Sequence, residues 1–173
     1  MTPFDFITYM QTIATNLKDI QHTAETPRFH KISSIANLEE LLQTTIVTNG
    51  IQMLVLDTHE GGIIDNDAAG LFDDMYYTFY LVQNLDITDM SERQTTLAAL
   101  KLSCKKIMSK MFKDMKDDGN KAIDDRIGLN MLDRNSIRYL TVGPMGDNYQ
   151  GIQVTFTLAE TFSYAYKAAD WLP

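Results

Sequence analysis

From Ser91 to Lys116 apolar residues recur every three or four positions, and that run limits the chain to folds in which a long helix lies along a core. Leu97, Leu100, Cys104, Ile107, Met108, Met111 and Met115 fall on one helical face. Ser91 is suited to cap the N-terminus, with Gln94 three residues on as its capping-box partner, and Gly119 stands just past the last periodic residue. Strand-like runs flank the segment on both sides, so a sheet is expected to pack against it.

Ahead of this helix the chain predicts two others. Thr2 to about His22 reads as the first. Thr2 serves as cap, Pro3 occupies the first helical position, and Asp5 lies at the positive end. Phe6, Tyr9, Met10, Ile13, Leu17 and Ile20 form its stripe. Thr23 to Pro27 breaks it, and Arg28 to Ile32 reads as a short extended piece. A second helix is expected from Asn37, with Glu40 completing a capping box and Asn49-Gly50 ending it.

Ile51 to Asp57 is almost wholly apolar, which predicts a strand covered on both faces. His59 to Asp74 is rich in Gly and Asp and predicts a long connection, either mobile or serving as a contact surface. Met75 to Gln83 is a strand with aromatic or β-branched residues on both sides.

Beyond the long helix, Lys121 to Met131 predicts a short helix or turn and Ser136 to Val142 a strand. Gly143 to Gly151 is dense in turn residues. Ile152, Val154, Phe156 and Leu158 then alternate with Gln153, Thr155 and Thr157, so the last two strands are expected to form an antiparallel hairpin. The fold class that follows is α+β: an antiparallel or mixed four-stranded sheet packed on a long central helix, with N-terminal helices. Residues 1–173 form one domain, with an aromatic C-terminal arm at 161–173.

The formal net charge is -8 and the sequence pI about 4.7. Direct nucleic-acid binding is not expected of such a chain, because phosphate contacts need clustered Lys and Arg. The lone Cys104 cannot form an internal disulfide, and its place on the apolar face argues for packing. No apolar run approaches the roughly 18 residues that suggest a membrane span. The first residues lack the pattern of a secretion signal, so a soluble cytosolic product is the expectation.

Motifs for chemistry are sparse. Asp65-Asn66-Asp67 begins like a calcium loop, but Ala69 and Tyr76 stand where oxygen ligands are needed. Asp57, His59, Glu60 and Asp65 lie near a strand end and would suit a small metal-dependent enzyme. His22, His30 and His59, however, show no zinc spacing. No nucleophile elbow, phosphate loop or dinucleotide fingerprint occurs, and neither a cofactor nor a catalytic residue is assigned.

The polar face of the long helix is more informative. Lys101, Lys105, Lys106, Lys110, Lys113 and Lys116 are six of the fifteen basic residues. They make either a solvated face favoured by the helix dipole or an electrostatic contact, with the acidic loop of an identical neighbour or with nucleic acid, the first favoured because the rest of the chain is negative. Lys101, Lys105 and Lys110 are the candidates for contact with a neighbouring copy, Asp65 and Asp67 the candidate complements, and Trp171 a candidate anchor. The aromatic strand and the aromatic tail suit either a core or a subunit interface.

Tyr139-Leu140-Thr141-Val142-Gly143-Pro144-Met145-Gly146-Asp147-Asn148-Tyr149-Gln150-Gly151 and the strand to Leu158 resemble the Gly-Pro-hydrophobic-Gly-Asp-Asn-aromatic hairpin of small virion proteins in phages and prophages of Bacteroidetes. With the order of elements, the chain is similar to tail terminator or tail-completion proteins, which join tail to head. The resemblance implies a non-enzymatic virion subunit assembled in the bacterial cytoplasm. It implies a ring of identical copies, often a hexamer, contacting tail tube or head-tail connector proteins, with no cofactor and no membrane partner. A related tail-like injection machine would use the same part. The aromatic C-terminal arm departs from the family pattern. A small metal-dependent enzyme using Asp57, His59 and Glu60, and a monomeric or dimeric adaptor domain, are the competing readings.

Overall fold

The long helix, α3, spans Met90–Gly119, thirty residues and about 45 Å. Its cap is Asp89 rather than Ser91. The Asp89 carboxylate accepts from the backbone N–H groups of Ser91 and Glu92 at 2.8 and 3.1 Å. One acid there satisfies two free donors and also opposes the positive end of the dipole. Gly119 falls inside the last turn, and Asn120 follows it as the C-cap.

The computed structural model describes residues 4–44, 50–57, 60–65, 71–85, 88–122, 125–145 and 148–161. Helix α1 (Phe6–Asn16) starts at the first residue of its apolar stripe rather than at Thr2 and ends before Leu17 and Ile20, and Asp5 caps it through the Thr8 N–H at 2.9 Å. Strand β1 (Phe29–Lys31) precedes α2 (Ile35–Thr44). The second helix therefore begins ahead of Asn37, whose side-chain oxygen accepts instead from the Ser33 and Ser34 hydroxyls. Then come β2 (Gln52–Leu56), β3 (Glu60–Asp65), β4 (Leu71–Asn84), α3, β5 (Leu132–Met145) and β6 (Tyr149–Thr161). The stretch expected to be a short helix or turn carries a 3-10 turn, Leu129–Met131, just ahead of β5.

The fold is α+β, but the sheet has six strands rather than four. Its order is β1-β2-β4-β6-β5, with β3 also on β4. β1 runs parallel to β2 and all other pairs are antiparallel, so the sheet is mixed. β2 pairs with Phe79 to Gln83 and β3 with Leu71 to Tyr76, so the two follow one another along the same side of β4. The Gly- and Asp-rich stretch is accordingly not a loop at 60–65 or 71–74. Gly61-Gly62 has low strand propensity alone, but antiparallel pairing to β4 supplies partners for its backbone groups. β4 and β6 pair continuously from Phe72↔Thr161 to Asn84↔Tyr149.

Two cores sandwich the sheet. On one face Leu54, Tyr77, Phe79, Leu81, Val154, Phe156 and Leu158 meet α1 and the Leu100, Cys104, Ile107 and Met111 stripe of α3. Each large side chain buried there stabilises by about 2 kcal/mol. On the other face Met53, Val55, Tyr80 and Val82 meet Leu38 and Leu42 of α2. All five residues of β2 are buried, Gln52 with the apolar four, as expected of a strand covered on both faces.

Polar groups close both ends of the α3 layer. Gln52, Gln83 and Gln150 lie in register across three strands and are buried. Thr96 accepts from Gln83 at 3.5 Å, and Arg93 donates to Gln150 at 3.4 Å. At the other end Asp118, 1% exposed, accepts from the Ile127 and Asn130 N–H groups at 2.8 and 3.1 Å. That carboxylate ties the turn before β5 to the end of α3.

Candidate interaction site

The lysine face of α3 is divided by its neighbours. Towards α1, Lys106 pairs with Asp19, and Lys110 pairs with Asp114, which also accepts the Tyr9 hydroxyl at 2.8 Å. Lys113 pairs with Asp117 one turn on. The Lys106 ammonium, then the Ser103 hydroxyl, holds the Asp19 carboxyl below its usual value against partial burial. Burial first, and Asp114 second, raises the Tyr9 phenol. Lys110 is thus engaged within its own chain, in the cleft between α1 and α3.

Lys101 and Lys105 point the other way, towards β5. They stand with Arg134 at a groove of about 480 Å³ between α3 and β5. The groove is lined by Met108 and Phe112 from the helix and by Ile137, Tyr139 and Ile152 from the sheet. Tyr139 is 63% exposed, unusual for a large aromatic on a face that elsewhere carries core residues. Among the described residues, Lys101, Lys105 and Arg134 have no ion-pair partner. Cys104 also lines the groove, and burial pushes its thiol up to about 11, which suppresses thiolate chemistry.

β5 borders this groove as an edge strand, pairing only with β6 among the described residues. Its register shifts between Asp133 and Arg138 and again between Val142 and Met145. Such irregularities limit uncontrolled edge pairing and leave the stretch from Arg138 to Val142 as regular ladder.

The other expected site residues are spread apart. Asp65 is the last residue of β3, in register with Leu71. Asp67, His59 and Trp171, and the aromatic arm beyond Thr161, lie outside the described residues. Asp57 follows β2 and accepts from the Tyr80 hydroxyl at 3.3 Å, while Glu60 opens β3 opposite Tyr76. Burial, then Asp57, pushes the Tyr80 phenol up to about 12. Among the described residues no group of three His, Cys, Asp or Glu could hold a metal ion. No described helix is long and apolar enough to cross a membrane.

Helical periodicity marked the lysines but missed Phe112, Arg134 and Tyr139. Phe112 lies off the apolar stripe of α3, a signal that it covers something other than the main core. Arg134 reaches the groove because β5 begins at Leu132, before the run expected as a strand from Ser136, whereas Tyr139 lies within that run and its place beside α3 depends on packing. No family model, curated protein or solved structure matches the chain.

Proposed function

We propose that this chain is a non-enzymatic structural subunit of a phage or phage-like tail, of the tail-terminator or tail-completion type. It acts by ring assembly and protein–protein contact. The observation that carries this reading is the α3–β5 groove: three cations with no ion-pair partner among the described residues, around an apolar lining that includes the exposed Phe112 and Tyr139, beside an edge strand. Exposed cations beside aromatic side chains suit contact with an acidic protein surface, and Arg, Tyr and Phe are enriched at interfaces. The Tyr139–Leu158 segment that carries the resemblance to virion proteins forms the β5–β6 hairpin. The groove and that hairpin therefore lie on the same edge of the molecule. In an assembled ring this edge would face a neighbour, with tail tube or connector proteins on the ring faces.

The test is immunogold electron microscopy of tailed particles, or tail-like injection machines, released by the host that encodes the chain. Label at one end of the tail supports the reading. Assembled particles that carry no label contradict it.

A further inference from the structure

Tyr139 and Leu140 are consecutive in β5 and point to opposite faces of the sheet. Tyr139 stands opposite Val154, a member of the core beneath α3, and Leu140 opposite Gln153 on the α2 face. They are 63% and 52% exposed. A helix or loop laid on the sheet covers one face, whereas a strand added at the edge covers both side chains together. The backbone here is suited to one. From Arg138 to Val142 β5 forms a regular ladder with β6, and its other side pairs with no strand among the described residues.

Charge selects the strand. Lys101, Lys105 and Arg134 line the adjoining groove and have no ion-pair partner among the described residues. Arg138 adds a cation on the α2 face, its guanidinium donating to the Asn135 and Ile137 carbonyls. The one acid of β5, Asp133, accepts from the Asn135 N–H at 2.8 Å and lies outside the regular ladder. The β5 of a second copy would bring like charges together, which disfavours self-pairing. An acidic strand gains where that one loses.

We propose that β5 takes an extended acidic segment of a partner protein as an added strand along Arg138 to Val142. Carboxylates on the side of that strand facing α3 meet Lys101, Lys105 and Arg134 at the groove. Its alternate side chains are aliphatic and cover Leu140 on the other face. Backbone hydrogen bonds supply affinity, and the alternation of acidic and aliphatic residues supplies specificity. The proposal rests on the assembly reading of this edge and names what the facing subunit must bring to it.

A synthetic peptide of alternating Glu and Val is the probe. One control replaces every Glu by Lys. The other interrupts the Glu-Val sequence with two adjacent Pro at its centre, which removes a donor on each side of the strand. Calorimetric titration reads binding, and hydrogen–deuterium exchange reads the amides of Arg138 to Val142. The Glu-Val peptide is expected to bind the wild type and to slow exchange in that stretch severalfold. Lys101→Glu with Lys105→Glu, both at exposed positions of α3, is expected to weaken binding about tenfold. Circular dichroism verifies that this variant folds, and if it does not, the control peptides decide.

Equal binding of the Pro-interrupted peptide, or binding without slower exchange from Arg138 to Val142, overturns strand addition. A Lys-Val peptide that protects the same amides equally overturns the acidic occupant. No binding of the Glu-Val peptide up to about 1 mM overturns both. A wild-type dimer with those amides already protected would make the β5 of a second copy the occupant, and overturns the proposal too. Each of these results leaves the tail role to particle labelling, and particles without label leave the strand site intact.

Discussion

The Tyr9 hydroxyl on α1 donates to the Asp114 carboxylate on α3 at 2.8 Å, and Lys110 binds the same carboxylate. This link, across more than half of the chain, fixes which lysines of α3 are committed to holding the fold. Tyr9→Phe should cost about 1 kcal/mol, since the bond has a charged acceptor but only partial burial. Urea unfolding checks it through a lower midpoint at unchanged slope.

Alkaline pH probes the same bond. The folded phenols of Tyr9 and Tyr80 are both raised, Tyr80 to about 12, and burial is the leading cause for each. Raised folded values favour the protonated form. The linked stability is therefore fully present below about pH 10, the unfolded value, and is lost as pH rises through the folded values. Thermal melts of the wild type should fall steeply above pH 10, and Tyr9→Phe should flatten that fall. Parallel curves for the two proteins would contradict the assignment.

Asp118→Ala should destabilise by about 3 kcal/mol, because it leaves the Ile127 and Asn130 N–H groups without their acceptor in a buried setting. Differential scanning calorimetry measures the loss. Asp118→Glu should not restore wild-type stability, since its longer side chain must displace the turn it holds.

Gly151→Ala should cost about 2 kcal/mol by overpacking. A Cβ there would sit 2.9 Å from Val82 Cγ1 and 3.0 Å from the Leu81 carbonyl oxygen. Gly143 is held at φ +112, and a Cβ would come within 2.8 Å of the Tyr149 carbonyl oxygen. The geometry of β5 and β6 alone requires both glycines. Equilibrium unfolding of the two alanine variants checks this, with wild-type stability as the contrary result.

Cys104 should react about a hundredfold more slowly with iodoacetamide near pH 8 in the native protein than in denaturant. Burial pushes its thiol from the ordinary 9.0 up to about 11. Labelling at equal rates would show that the groove wall does not bury it.

Much of this fold was legible because core periodicity is local. The Leu100, Cys104, Ile107 and Met111 stripe, the apolar Met53 to Leu56 of β2 and the alternation of Ile152 to Leu158 each announce their element within a few residues. β3 was not legible, since Glu60, Gly61, Gly62 and Asp65 have turn character until β4 pairs with them. The cap of α3 was misplaced by two residues because Asp89 and Ser91 are both able caps. The division of the lysines was beyond reach for a different reason. Lys106 and Lys110 are committed by Asp19, Asp114 and Tyr9, and which side of α3 faces α1 depends on tertiary packing that no window of sequence contains. Arg134 and Tyr139 stayed hidden because their role depends on the groove that β5 forms with α3.

The most direct test of ring assembly is the absolute mass in solution, from light scattering coupled to size exclusion, over a concentration series at low and high salt. The account predicts a discrete mass several times the 19.7 kDa of one chain at low salt, falling as salt screens Lys101, Lys105 and Arg134 from their acidic partners. A mass of 19.7 kDa at every concentration and both salt levels would contradict it.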